Sequence, residues 1–519
     1  MQAILRSIIP VVFLIVSFQH SFAQEQKYWI SFKDKDTIGY DSKNALSKQA
    51  ITNRKLFQIP LYQFSDVPVR SLYIEKLSTL KVEVVATSKW LNAVTAYMTT
   101  KQLSEVKKLS FVSLVEPVNI YMVGTSTDVT VKPELVHPAL KQMNAGAFRK
   151  AGIDGTGIRI GVIDAGFYKL NEDPATKYLM TENRILAQRD FIDRSRTDLI
   201  VTSATSADDH GKQVIRMIAG YDTIKKLQYG MATNASFYLA RTENGNREYR
   251  GEEDMWIMAM EWMDSLGVRL ISTSLGYAIK MDDPNDNYIQ SEMDGKTARI
   301  TKAAQIAVYQ KGIFLTVSAG NEGDSNWRII SAPADAEGVL SVGATNSTIW
   351  DKIDYSSIGP EALPYLKPNV SCFSPNGTSF SCPALAGFVA CLMNNDSSLN
   401  NVQLKNIIQK SAHLYPYGNN YIGYGIPQAN RALTLSKDST SNVNTNVVLV
   451  YCTRKKYSVK LEKTVNAELV LFHKKNETIV IRQETLTMKK GKLKVKRPKD
   501  AARTTVAESA FLTMEVIWK

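Results

Sequence analysis

The spacing of hydrophobic and polar positions changes character three times along the chain. From Gln24 to about Val123, short alternating runs are mixed with helical spacing. Tyr28-Trp29-Ile30-Ser31-Phe32 is strand-like, residues 71–77 have helical period, and strands are predicted over 82–85 and 90–97. A helix over 102–109 and a strand over 111–115 complete a β-α-β-β-α-β order, the split ferredoxin-like α+β unit. Residues 124–142, opening Gly124-Thr125-Ser126-Thr127-Asp128, are polar and irregular and read as a linker.

From 143 to 433 the pattern is α/β. Ile158-Arg159-Ile160-Gly161-Val162-Ile163-Asp164 is a nearly unbroken apolar strand ending in an acid, and 236–240 is a second strand. A helix over 254–266 feeds a strand over 268–274, and a helix over 301–311 feeds a strand over 313–318. Such strands predict a central, mostly parallel sheet with helices on both faces, whose ligands sit beyond the strands' carboxyl ends. Asp164, Ser274 and Asn321 all fall there. Over 440–519 short strands return, at 447–452, 458–461, 468–472, 479–483, 492–496 and 511–517, as expected of a small antiparallel β-sandwich.

At the start, Arg6 precedes the apolar run Ile8–Phe18, and Ser21-Phe22-Ala23 is a small-residue cleavage site before Gln24. Residues 1–23 therefore read as a secretory signal peptide. The run is short for a spanning helix, and no later segment is long and apolar enough to cross a bilayer. An exported protein without a membrane span is expected, whether extracellular, at the cell surface or periplasmic.

With 519 residues the chain has room for two to four domains. Its four cysteines (Cys372, Cys382, Cys391, Cys452) are too few for a disulfide scaffold, although a Cys372–Cys452 bridge stays open. The net charge of +13 is concentrated late: Tyr451 to Lys519 holds 17 Lys/Arg against 7 Asp/Glu. In an exported protein a solvated face, or attachment to anionic envelope polymers, is expected there rather than a nucleic-acid partner.

The candidate chemistry centres on Asn376-Gly377-Thr378-Ser379-Phe380-Ser381-Cys382-Pro383, followed by an apolar stretch to Leu392 that reads as a buried helix. Ser379 lies at its mouth, where unpaired N–H groups and the helix dipole favour negative charge. Of five histidines, His210 opens a helix in Asp208-Asp209-His210-Gly211. Ser379, His210 and Asp164 are candidates for a nucleophile, a base and an orienting carboxylate, in that order. Asn321, in Ser318-Ala319-Gly320-Asn321-Glu322-Gly323, offers an amide to an oxyanion. Taken alone, Ser379 reads as a helix N-cap, His210 as a cap or surface residue and Asn321 as a turn residue beside glycine; it is their joint order that points to chemistry.

Asp164-Ala165-Gly166, His210-Gly211, Ser274-Leu275-Gly276, Ala319-Gly320-Asn321 and Gly377–Pro383 resemble, in order, the motifs of the subtilisin-like serine proteases (the subtilase family). The resemblance covers about 145–433 and is nearest to secreted bacterial members. It implies a serine endopeptidase acting on polypeptides through an acyl-enzyme. Ser274, Leu275, Gly276, Ala319 and Gly320 would then hold the extended substrate. Residues 24–123 resemble the propeptide, an intramolecular inhibitor that makes the protein a zymogen.

Two departures keep a second reading open, an impaired homologue acting as a peptide- or polymer-binding scaffold. Lys212 stands where the family usually has Thr, and the segment Lys367–Pro375 before the serine is short. No cofactor is expected. The oxygen-rich loop Asp282–Asn287 is a candidate for Ca²⁺ but lacks EF-hand spacing. There is no H-E-x-x-H and no G-x-S-x-G, which argues against a zinc protease and a lipase-type elbow.

Overall fold

The computed structural model describes residues 25–118, 136–203, 205, 207–246, 249–281, 284–460, 467–489 and 491–519. The expected signal peptide, the first part of the expected linker, and Asp282 and Asp283 of the candidate calcium loop lie outside these residues.

The N-terminal unit runs β1 (Gln26–Phe32), α1 (Ser42–Ala45), α2 (Lys48–Leu56), α3 (Ser71–Thr79), β2 (Val84–Ser88), β3 (Ala93–Met98), α4 (Thr100–Val106) and β4 (Val112–Val118). Its antiparallel sheet has the order β2-β3-β1-β4, that of the ferredoxin-like unit. The pair α1 and α2 has no counterpart in the pattern reading, for a physical reason. In α2 only Ala50 and Arg54 are buried, so the helix has no apolar stripe to read and docks through an ion pair.

The central unit begins with α5 (Pro138–Gln142) and α6 (Gly146–Lys150), then β5 (Arg159–Asp164), α7 (Tyr178–Thr181), β6 (Ile185–Asp190) and α8 (His210–Ala219). A small hairpin of β7 (Tyr221–Asp222) and β8 (Leu227–Gln228) leads to β9 (Ser236–Arg241), α9 (Glu252–Leu266), β10 (Leu270–Thr273) and α10 (Arg299–Tyr309). It closes with β11 (Phe314–Ser318), β12 (Leu340–Thr345), β13 (Val370–Phe373), α11 (Thr378–Asn395), α12 (Asn401–Ser411) and α13 (Ala429–Lys437). The described end of the expected linker is structured: α5 is largely buried, and Gln142 accepts from Phe373 N–H at 2.7 Å, covering the open edge of β13.

Seven strands form one parallel sheet in the order β13-β12-β11-β10-β5-β9-β6. Alternation along β5 sends Ile160 and Val162 into a core with α8 and α11, and Ile163 into a core with α9 and α10. Trp29 and Trp90 join that second core, so the N-terminal sheet lies against the α9–α10 face. From β5 the chain winds outward to β6, returns to β9 and then crosses past β5 to β10, so the crevice beyond the carboxyl ends of these strands is the topological switch point.

The C-terminal strands are β14 (Val447–Cys452), β15 (Lys456–Lys460), β16 (Glu468–Lys474), β17 (Val480–Thr487), β18 (Lys492–Lys496), β19 (Arg503–Glu508) and β20 (Leu512–Trp518). A five-stranded sheet, β14-β20-β19-β16-β17, is covered on one face by a β15–β18 ribbon. The sheet is not purely antiparallel as expected: β14 enters beside β20 and runs parallel to it. That pairing joins the two ends of the domain, and neither strand's own pattern encodes it. All four cysteines are free and buried, so the open Cys372–Cys452 bridge is absent.

Candidate active site

Asp164 ends β5 fully buried, and its Oδ1 accepts from the Ala165 N–H at 2.8 Å. The loop that follows is stitched to the start of α8: Gly211 N–H donates to the Gly166 carbonyl at 2.9 Å and Tyr168 N–H to the Asp208 carbonyl at 2.8 Å. A Cβ on Gly211 would lie 2.4 Å from the Gly166 carbonyl oxygen, so the close approach requires glycine. His210 is thereby held with Nδ1 2.7 Å from Asp164 Oδ1. Burial pulls the imidazole pKa down, but the charge and hydrogen bond of Asp164 outweigh it, helped by Asp209 and Glu243, and the net shift is upward. Facing a carboxylate, Nδ1 carries the proton, which leaves Nε2 as the basic nitrogen.

Helices α8 and α11 lie side by side and run in the same direction. The His210 and Phe380 ring centroids are 5.6 Å apart at one end, and a Cβ on Gly387 would meet the Ile218 carbonyl at 2.9 Å further along. Both N-termini therefore open on the same crevice. Ser379 is the second residue of α11, and its Oγ donates to the Ser274 carbonyl at 3.4 Å. Pro383, four residues on, has no N–H for the Ser379 carbonyl. The Ser274 hydroxyl supplies the missing donor at 2.8 Å.

Asn321 is oriented by Thr378. The Thr378 N–H donates to Asn321 Oδ1 at 2.8 Å and the Thr378 hydroxyl at 3.0 Å, so the amide NH₂ points the other way, into the crevice. Gly320 N–H donates to Thr378 Oγ1 at 3.1 Å. A cavity of about 230 Å³ beside Ser379 is lined by Ser274, Leu275, Gly276, Gly320 and Asn321. Ala319 is not brought to it: its N–H donates to Val342 and its carbonyl accepts from Ser331.

Several groups escaped the sequence reading. Arg241 is buried behind the Asp164–His210 pair, donating to the Ala165 carbonyl at 3.0 Å and to Asp190 at 3.0 Å, with Asp208 at 3.4 Å. Arg196 adds a contact to Asp208 at 3.1 Å. Only an arginine ending an otherwise apolar strand and the Asp208-Asp209 pair signalled this network. Glu243 also lines the cavity; burial pushes its carboxyl pKa up, and the Tyr277 hydroxyl donates to it at 2.5 Å.

The two departures leave this geometry in place. Lys212 turns back to Asp209, 3.6 Å away, rather than to the imidazole. In the short segment, β13 pairs in register with β12 from Val370 to Phe373, and Ser374 Oγ donates to the Gly377 carbonyl at 2.6 Å across the turn into α11. His413 is buried, with its pKa lowered by burial to about 3, and His473 bonds to Thr504 and Glu484, so both serve packing. In the described part of the candidate calcium loop, Asn287 Oδ1 is occupied by the Met281 N–H at 3.0 Å.

The family model for the subtilase family matches residues 155–425, and a model for the peptidase S8 propeptide domain of Bacteroidota matches residues 27–132. Subtilisin DY of Bacillus licheniformis is 26% identical over 271 residues, covering 50% of this chain and 85% of that protein. Subtilisin NAT of Bacillus subtilis subsp. natto is 26% identical over 362 residues, covering 65% and 80%. The epidermin leader peptide processing serine protease of Staphylococcus aureus, solved as a serine-to-alanine mutant, shares the fold. Its TM-score is 0.55 at 14% identity, over 79% of this chain and 99% of that one.

Proposed function

The chain belongs to the subtilase family and is a serine endopeptidase carrying that family's propeptide domain, and on that premise we propose that Asp164, His210 and Ser379 are its catalytic triad in an exported zymogen. The observation that carries this reading is the 2.7 Å contact of His210 Nδ1 with Asp164, at the mouth of the helix that holds Ser379.

In the reacting enzyme the Ser379 hydroxyl leaves the Ser274 carbonyl for His210 Nε2. The imidazole accepts the proton as Oγ attacks a peptide carbonyl, then returns it to the leaving amine, while Asp164 stabilises the imidazolium. The developing oxyanion is met by the Asn321 amide and the N–H groups at the start of α11. The extended substrate lies along 274–276 and Gly320, and the N-terminal unit acts as the intramolecular inhibitor. Export is supported by the signal-like residues 1–23.

The test is a serine-directed fluorophosphonate probe. Labelling of the processed protein that disappears in Ser379→Ala supports the enzyme. No labelling, with peptide binding retained, supports the impaired scaffold instead. If maturation is self-cleavage between 120 and 140, Ser379→Ala accumulates at full length in a host lacking other proteases. Trimming of that variant like the wild type would assign processing to another enzyme.

A further inference from the structure

The fold sorts the excess positive charge of the C-terminal domain. Lys474 pairs with Glu515 at 2.9 Å in the interior, Arg503 with Glu477 at 2.7 Å, Arg482 with Glu484, and Lys475 with Glu361. Each of these cations lies on, or at the end of, a strand of the five-stranded sheet.

The β15–β18 ribbon has a different composition. Val459, Leu493 and Val495 face inward against the sheet, so the period of two sends Lys492, Lys494 and Lys496 to solvent. The register sets Lys456 opposite Lys496 and Ser458 opposite Lys494. Lys455 and Lys499, just outside the two strands, are exposed as well. Among the described residues, the ion pairs of this domain all use other cations. Like charges placed directly opposite are destabilising, so this face gains stability when an anionic partner covers it.

We propose that the outer face of the β15–β18 ribbon docks the protein onto an anionic lipid surface through the phosphate headgroups. The layout of the charges selects the partner. Lys492, Lys494 and Lys496 stand in a row about 7 Å apart along β18, with Lys456 about 5 Å across the ribbon from Lys496, a multi-lysine face that suits an array of phosphates. Single-stranded nucleic acid is held in grooves with aromatic stacking platforms, and the outward positions of β18 are all lysine. A cluster of this size is what a negatively charged leaflet attracts. The opposite face of the sheet, through Val470, Phe472 and Ala507, packs on Leu414 and Ile422 of the central unit. The ribbon therefore points away from that unit, and docking leaves the crevice at Ser379 open.

The test uses the full chain with Ser379→Ala, sedimented with vesicles of phosphatidylcholine alone or mixed with phosphatidylglycerol. Binding is expected only with phosphatidylglycerol, and to be reversed by salt. The triple variant Lys492→Gln, Lys494→Gln, Lys496→Gln should bind about a hundredfold more weakly, roughly fivefold per lysine. Its thermal stability should be equal or higher, since the repulsion is relieved. The control Lys150→Gln, Lys177→Gln, Lys225→Gln, which removes the same charge from the central unit, should bind like the parent. Equal loss in the control, equal binding to neutral vesicles, or tighter retention by single-stranded DNA or polyphosphate than by the vesicles would each overturn the proposal.

Discussion

The Ser274 hydroxyl donates to the Ser379 carbonyl at 2.8 Å, the carbonyl that Pro383 leaves without a helical partner. Ser274→Ala should leave that buried carbonyl unsatisfied and cost about 1–3 kcal/mol. Adding Pro383→Ala restores a backbone donor four residues on, so the double variant should recover part of the loss. Denaturant unfolding of both singles and the double measures this, and strictly additive effects would refute the link.

Asn321 is aimed by Thr378 and not by the substrate, so in the proposed mechanism its contribution is made in the transition state. Asn321→Ala should lower kcat by about 10²–10³ with little change in KM, the loss typical of removing one oxyanion donor. Thr378→Val, which removes the hydroxyl but keeps the N–H, should lose much less. Steady-state kinetics on a peptide substrate decide it. A KM effect alone would make Asn321 a binding residue.

The raised pKa of His210 has two consequences of opposite sign. The proposed mechanism uses the neutral imidazole as the base, so the acid limb of kcat/KM should lie above the ordinary histidine value of about 6.5. Stability runs the other way. The imidazolium–Asp164 pair stabilises fully below about pH 6.5 and is lost as pH rises through the raised value. In Asp164→Asn the limb should move down in pH and kcat should fall by about 10⁴. A pH–rate profile that does not move between the two proteins would separate Asp164 from the imidazole.

The N-terminal unit is held to α9 by buried charge. Lys27 meets Asp254 at 2.6 Å with both side chains buried, Arg54 spans Asp66 and Asp264, and Glu261 accepts from Ser88 and from the Trp90 N–H at 3.0 Å. Lys27→Met strands the Asp254 carboxylate and should destabilise the full-length Ser379→Ala protein by about 3–5 kcal/mol. The paired change Lys27→Met with Asp254→Leu should restore most of it. Unfolding midpoints that fall equally for both would show packing, not charge, at work.

The pattern of the chain was enough to locate the strand ends that carry Asp164, Ser274 and Asn321 and the buried helix that carries Ser379. Apolar runs of this length have few places to go but a covered parallel sheet and its flanking helices. The ferredoxin-like order of the N-terminal unit was legible for the same reason. Strands β6, β12, β13 and β19 were not. The first is a half-buried edge strand of mixed polarity, and β12 and β13 are short stretches without alternation. Helix α2 was invisible because an arginine anchors it.

Local period and burial are written in neighbouring positions, so the strand ends at Asp164 and Ser274 and the helix starts at His210 and Ser379 could be read directly from the chain. The Arg241–Asp190–Asp208 support behind His210, the Ser274 donor for Ser379, the ion pairs on α9 and the parallel entry of β14 were decided only by the tertiary structure. Each joins groups from separate segments, and a charge or an orphaned carbonyl acquires its meaning from whatever the folded chain brings within hydrogen-bonding distance.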